Sequence, residues 1–349
     1  MENKESKWVQ KLADLPKINK QMYLIENIDS PLNKKPSRDG FGKALVEIGA
    51  ENPNLSVLTA DVSESTRTHW FAEKYPDRFV QVGVSEQNLA GVAAGIASLG
   101  KIVFISAYGV FSPGRNWDQV RVSLCYNNVP VKLHGSHTGI TVGPDGASHQ
   151  ALEDIAITRV LPNMTVIVPA DVEEARKATI EACKTKSPVY IRSCREKMPA
   201  FTTHLTPFTI GKANVYRDGE DVAIFACGPQ VYESIIASEK LESEGISCAV
   251  IDCHTIKPID EEAIRFWAKK TGLIISVEDH QITGGLGGAI AEVLCEQGKS
   301  IPCTLKRHGI RNMFCESGEP LELLKKYGLD SAGIAEFVRE NYKNKLQNL

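Results

Sequence analysis

From Ser37 onward the chain switches repeatedly between two spacings of apolar residues. GFGKALVEIGAEN (40–52), EQNLAGVAAGIASLG (86–100) and DVEEARKATIEACK (171–184) repeat their apolar positions every three to four residues, the period of a helix with one face toward a core. NLSVLTA (54–60), KIVFISA (101–107), VPVKLHG (129–135), MTVIVPA (164–170) and SPVYIRS (187–193) are short apolar runs, as strands covered on both faces require. STRTHWFAEKYP (65–76) and WDQVRVSLCYNN (117–128) read as further helices, DRFVQVG (77–83) as a strand, and a helix is expected near 151–160. Strands alternating with helices of this length predict parallel βαβ units.

Prolines and threonines interrupt the alternation over EKMPAFTTHLTPFTI (196–210). It then resumes: VAIFACG (222–228), QVYESIIASEKLESEG (230–245), SCAVIDC (247–253), DEEAIRFWAKKTG (260–272), LIISVED (273–279), LGGAIAEVLCEQG (286–298), PCTLKRHG (302–309) and two C-terminal helices. The expected organisation is an α/β protein of two doubly wound domains, 37–198 and a smaller 211–349. A linker at 199–210 joins them, and an arm, 1–36, precedes them. In the arm, Trp8, Val9, Leu12 and Leu15 have the spacing of one amphipathic turn, docked on the protein's own surface or on a partner.

Composition narrows the function. A net charge of -3 offers no general attraction to nucleic acid or anionic membranes. No apolar run reaches the roughly 18 residues of a membrane span. The N-terminus is polar and lysine-rich, unlike a secretory signal, so the expected location is cytoplasmic. None of the nine cysteines forms a CxxC pair, which suits reduced, mostly buried thiols.

Glu86 follows a strand and the turn Gly83-Val84-Ser85, and so falls in the first turn of a helix. Locally it needs no further explanation, because Ser85 can cap the helix and a carboxylate suits its positive end. The loop HGSHTGITVGPDGASHQALED places His134, His137, Asp145 and His149 among glycines at a strand-to-helix junction, where open α/β sheets bind ligands. His134, at the end of a buried-looking strand, reads as structural. His137, Asp145 and His149 read as a polar active-site loop, and the spacing argues against zinc. Tyr108, Phe111 and Trp117, beside the strand 101–107, read more readily as core than as a ligand platform. Arg38, Ser65 and Arg192 end their elements, where arginines suit phosphate or carboxylate. TGGLGGAI (283–290) lacks the GxGxxG spacing, so a dinucleotide site is not expected.

Four segments, in order, resemble transketolase: ADVSES (60–65), VGVSEQNLAG (82–91), GPDGASHQ (143–150) and CHTIKPID (253–260). The resemblance covers about 37–345 and matches the family's pyrimidine-binding and C-terminal domains, as in the C-terminal subunit of a split transketolase. It implies thiamine diphosphate as cofactor and transfer of a two-carbon ketol unit between sugar phosphates, as in the pentose phosphate pathway. It further implies that Glu86 bonds N1′ of the aminopyrimidine, that Tyr108 and Phe111 flank that ring, and that Asp61 lies near the cofactor. By the same resemblance His149 handles protons on substrate hydroxyls, Asp145 reads the hydroxyl beside the carbonyl, and Arg38, Ser65, His137 and Arg192 hold the phosphate end. Tyr108 stands where the family usually has phenylalanine, and one extra residue leaves Trp117 without a match.

No GDG occurs anywhere, and Asn127-Asn128 is a paired asparagine without it. The resemblance therefore implies that Mg2+ and the diphosphate are held by a transketolase N-terminal-type partner, in a heterotetramer, and that this chain holds no metal. The main rival is a beta subunit of a 2-oxoacid dehydrogenase, which shares the domain order and the glutamate. Against it stand the His137–Asp145–His149 loop and Arg192. Deoxyxylulose-phosphate synthase, a non-catalytic scaffold and a nicotinamide oxidoreductase are weaker readings, and a related ketose-phosphate specificity stays open.

Overall fold

A computed structural model describes residues 18–26, 28, 33–296 and 302–347. Trp8, Val9, Leu12 and Leu15 lie outside the described residues. The first half contains helices α1 (Ser37–Glu51), α2 (Glu86–Ser98) and α3 (Val172–Lys184). Its strands are β1 (Leu55–Thr59), β2 (Phe79–Gln81), β3 (Ile102–Tyr108), β4 (Val131–Ser136), β5 (Thr165–Ile167) and β6 (Val189–Arg192). The second half contains β7 (Asn214–Arg217), β8 (Val222–Ala226), β9 (Cys248–Asp252), β10 (Thr255–Lys257), β11 (Leu273–Gln281) and β12 (Thr304–Ile310). Its helices are α4 (Gln230–Ser243), α5 (Glu261–Thr271), α6 (Leu286–Cys295) and, after a short helix at Pro320–Lys326, α7 (Ser331–Gln347).

The first sheet has the order β10-β5-β6-β4-β3-β1-β2 and is parallel except for β10. The period of two decides which face each residue buries. Val103 and Ile105 of β3 pack with Leu89 and Ala93 of α2, whereas Phe104 joins Phe41 and Leu45 of α1 on the other face. Helices α1 and α3 approach so closely that a Cβ on Gly40 would lie 1.9 Å from the Val172 carbonyl oxygen. The second sheet has the order β12-β11-β8-β9-β7, parallel except for β7.

The two halves are more entangled than the apolar pattern suggests. Strand β10 belongs to the second half in sequence, yet it pairs antiparallel with β5 at the edge of the first sheet. One apolar cluster runs across both halves, joining Leu133 and Val166 to Phe225 and Ile256. The 199–210 stretch is also pinned. Met198–Pro199 pairs with Lys34–Lys35, and Asp171 Oδ2 accepts the buried N–H groups of Phe201 (2.8 Å) and Thr202 (2.7 Å). Asp171 Oδ1 caps α3 through Glu173 and Glu174, both at 3.0 Å.

Three expected helices are altered. The 65–76 stretch breaks at Arg67 (φ +67°) into Ser63–Thr66 and His69–Lys74. Trp117–Gln119 runs into a wide π-type turn, Val120–Tyr126. The helix near 151–160 shortens to Asp154–Arg159, preceded by 3-10 turns over Ile140–Ser148 that Gly143 and Gly146 break at positive φ. No described helix is long and apolar enough to cross a membrane.

Candidate active site

Strands β1, β2, β3, β4 and β6 run parallel, so their carboxyl ends and the turns after them share one edge of the sheet. Asp61, Glu86, Tyr108 and His137 lie at that edge, where strand carboxyl ends open into a ligand crevice.

Glu86 is the first residue of α2 and is 3% exposed. The positive end of the helix favours a carboxylate there. The Ser85 hydroxyl does not cap the helix; it donates back to the Val82 carbonyl (2.8 Å). Glu86 Oε2 instead accepts a 2.9 Å bond from Arg115 Nη1, whose side chain is half exposed. The Arg115 guanidinium lies 4.5 Å from the centre of the Phe111 ring. Asn116 Nδ2 donates to the Glu86 carbonyl at 3.0 Å and ties this segment to the start of α2.

From Phe111 a line of rings crosses the edge. Tyr108 lies 6.2 Å from Phe111 and 4.0 Å from the His137 imidazole, near-parallel to both, and His149 meets Phe111 edge-on at 5.4 Å. His137 is buried, and its Nε2 lies 3.0 Å from Arg38 Nη1. Because arginine only donates, Nε2 accepts, and Nδ1–H then points to the Ser136 hydroxyl (2.9 Å). Burial, followed by Arg38 and Arg195, pushes this imidazole down to about 2, so it is neutral.

Arg38 also donates to the Ser65 carbonyl at 2.9 Å, and its Nε is buried without a partner. Among the described residues no carboxylate forms an ion pair with Arg38, although neighbouring Arg67 has Asp39 at 2.7 Å. Burial and the charge of Arg67 push Arg38 below the ordinary arginine range. This is a cation short of negative charge. Asp145, on the exposed part of the loop, pairs with Arg195 Nη1 at 3.1 Å, and that nitrogen also reaches the Val142 carbonyl (2.8 Å). His149 is half-buried, with Nδ1 2.9 Å from the Ser148 hydroxyl. Asp61 is exposed at φ +63°, its N–H donating to Gln81 Oε1 at 2.6 Å.

Glu86, Tyr108, Phe111, His149, His137, Arg38 and Ser65 are therefore linked through direct contacts, with Arg115 as the bridge to Glu86. Arg192 is not among them. It is 3% exposed, donates from Nε to Asp154 (2.8 Å), and spends Nη2 on the Ala151 and Asp279 carbonyls. The expectation that Arg192 meets a phosphate is corrected: as the last residue of a strand buried throughout, it points into the interior, where Asp154 neutralises it. Three residues on, past the strand, Arg195 stands in the position expected of Arg192. That offset within RSCR was the available signal. Arg115 was also missed, although it lies four residues beyond Phe111 on the same turn. His134 is interior, held between the Ser106 and Ser193 hydroxyls (2.8 and 2.6 Å). Trp117 donates to the Ile157 carbonyl at 2.7 Å. Among the described residues no three His, Cys, Asp or Glu side chains converge as a metal site.

Comparison with known proteins identifies the family. The family model of the transketolase pyrimidine-binding domain matches residues 33–200, and that of the transketolase C-terminal domain matches 211–334. A Methanocaldococcus jannaschii protein described as a transketolase C-terminal section is 45% identical, over 88% of this chain and 97% of its own length. A 6-deoxy-6-sulfo-D-fructose transketolase subunit of Clostridium sp. (strain MSTE9) is 38% identical, over 87% and 93%. The structure of a split-gene transketolase, an inactive beta4 tetramer, superposes with a TM-score of 0.82 at 42% identity, over 88% of this chain and 98% of that one. The chain belongs to the transketolase family and carries that family's pyrimidine-binding and C-terminal domains.

Proposed function

We propose that this chain is the pyrimidine-binding, catalytic subunit of a two-chain transketolase, moving a two-carbon ketol unit from a ketose phosphate to an aldose phosphate. The observation that carries the reading is the line of contacts from a buried carboxylate, past two aromatic faces, to an arginine with an unused donor.

A flat, basic heteroaromatic ring suits this set. Glu86 would accept a hydrogen bond from a ring nitrogen of thiamine diphosphate, with Arg115 giving way, while Tyr108 and Phe111 would flank the ring and Asp61 would lie beside it. When bound, the cofactor supplies a nucleophilic carbon and an electron sink for the donor's carbonyl carbon. His149 would exchange protons with substrate hydroxyl oxygens, and Asp145 would accept a bond from the hydroxyl beside the carbonyl. Arg38 and Arg195, with Ser65 and His137, would hold the phosphate. Gripping this remote end lowers the entropic cost of placing the carbonyl.

Mg2+ and the diphosphate fall, in this reading, to an N-terminal-type partner chain within a heterotetramer. The free cysteines, most of them buried, suit a reducing, cytoplasmic setting. A related specificity has one observation in its favour: the Clostridium relative is named for a sulfonated ketose, and an arginine cluster accepts a sulfonate as well as a phosphate.

The test is ketol transfer from xylulose 5-phosphate to ribose 5-phosphate, with thiamine diphosphate and magnesium, by this chain alone and with a co-expressed N-terminal-type partner. Activity only in the mixture, lost on Glu86→Ala with assembly intact, supports the reading. An assembled, cofactor-loaded mixture inactive on phosphorylated and sulfonated ketoses alike would overturn it.

A further inference from the structure

We propose that the second domain takes part in substrate handling: Asp279, on β11, is a positioning residue that sets the loop carrying Asp145 and His149. The kinetic arm of this proposal rests on the transketolase reading; the anchoring of the loop does not.

The loop has little regular structure of its own. His137, Gly139, Gly143 and Gly146 all take positive φ, from +58° to +78°. What shapes it comes largely from the second domain. Asp279 is 2% exposed, and its Oδ1 accepts the buried Ile140 N–H at 3.0 Å. Its other oxygen presses on Gly139, where a Cβ would sit 1.8 Å from Oδ2. Gly139 N–H is satisfied by the Ala151 carbonyl (3.0 Å), to which Arg192 also donates (3.1 Å) while holding the Asp279 carbonyl (2.8 Å).

Further contacts repeat the pattern. Gln281 N–H donates to the Leu152 carbonyl (2.8 Å), and Gln150 Nε2 to the Glu316 carbonyl (3.1 Å). A Cβ on Gly143 would come within 3.0 Å of Pro320, and one on Gly146 within 2.3 Å of the Ser317 hydroxyl. Each glycine that bends the loop therefore bends it around an atom of the second domain. Asp279 is the side chain that receives a loop amide directly, at the point where the chain leaves His137. By contrast, Glu86 and Phe111 belong to α2 and to the turn after β3. The side chain of Glu86 is held by Arg115, and the loop reaches Phe111 through the ring edge of His149.

The experiment compares Asp279→Ala with Asp279→Asn, whose Oδ1 still accepts a bond, and with Gly139→Ala, which attacks the same contact from the loop side. In the assembled enzyme, Asp279→Ala should lower kcat by about tenfold or more, because misplacing reacting groups by an ångström costs on that scale. Thiamine diphosphate affinity should stay unchanged, and Asp279→Asn should recover most of the loss. In the chain alone, hydrogen exchange at 140–146 should accelerate in Asp279→Ala and Gly139→Ala, with β8 amides still protected. Loop exchange equal to wild type in both variants would overturn the proposal, as would an unchanged kcat in folded Asp279→Ala. If the wild-type mixture shows no ketol transfer, the transketolase reading fails, and the exchange data alone decide whether Asp279 anchors the loop.

Discussion

Replacing Asp252 with asparagine should stabilise this protein at neutral pH and change it little near pH 4. Asp252 ends β9 and Glu174 lies on α3; both are buried. Tyr216 Oη lies 3.1 Å from Asp252 Oδ2 and 3.4 Å from Glu174 Oε1. Burial first, and then their mutual repulsion in the case of Asp252, raise these carboxyls, Glu174 to about 7. Lys177 works against this for Glu174, and Asp171 adds to the negative field. The folded pair thus keeps a proton that the unfolded chain releases above Glu174's ordinary 4.5. Its contribution to stability is complete below that pH and drains away as pH rises toward the folded value. At about 1.4 kcal/mol per pH unit, the window up to about 7 is worth about 3 kcal/mol. An asparagine amide donates to Glu174 without needing a proton, so Asp252→Asn should remove the share of this pH dependence that belongs to Asp252, while the burial of Glu174 remains. Melting curves of both proteins, taken from about pH 5 to about pH 8, should diverge by several degrees as pH rises. A difference that stays constant across that range would refute the shared proton.

Other outcomes rest on single contacts. Arg195→Ala should raise KM for phosphorylated sugars by roughly tenfold or more, the worth of a charge-assisted hydrogen bond, while leaving thiamine diphosphate binding untouched. Arg192→Met should do the reverse: strand its buried partner Asp154 and cost about 3–5 kcal/mol in urea unfolding. A rise in KM without loss of stability would restore Arg192 to the substrate site. Asp171→Ala removes bonds to the amides of Glu173, Glu174, Phe201 and Thr202; a lost cap alone costs about 1 kcal/mol, so a loss of several is expected, together with proteolysis near residue 200.

The alternating periods made the βαβ framework legible, because a doubly covered strand must be apolar throughout and a covering helix only on one side. The His137–His149 loop could be singled out as a candidate for a related reason, because polar residues beside glycines at a strand end have little structural use. Glu86 could not, since a helix N-terminus explains a carboxylate by itself, and it stood out only through the resemblance. What stayed hidden depends on geometry across the chain. Strands as short as β7 and β10 carry too few residues to show a period. Arg67 takes a positive φ that its residue type does not announce. Arg192 and Arg195 differ only in lying before or after the end of a strand, and a boundary error of one residue exchanges an interior cation for an accessible one. The role of Asp279 depends on a domain packing that no local pattern encodes.

The antiparallel seat of β10 against β5 has an engineering consequence. The break between the two family domains, near residue 210, looks like a place to cut, but a first domain released there would lose the outermost strand of its own sheet. Its β5 would face water with open N–H and C=O groups, an invitation to pair with a neighbouring copy. A soluble isolated first domain should therefore require that edge to be capped, by residues 253–260 grafted back through a new loop or by a charged side chain set into β5.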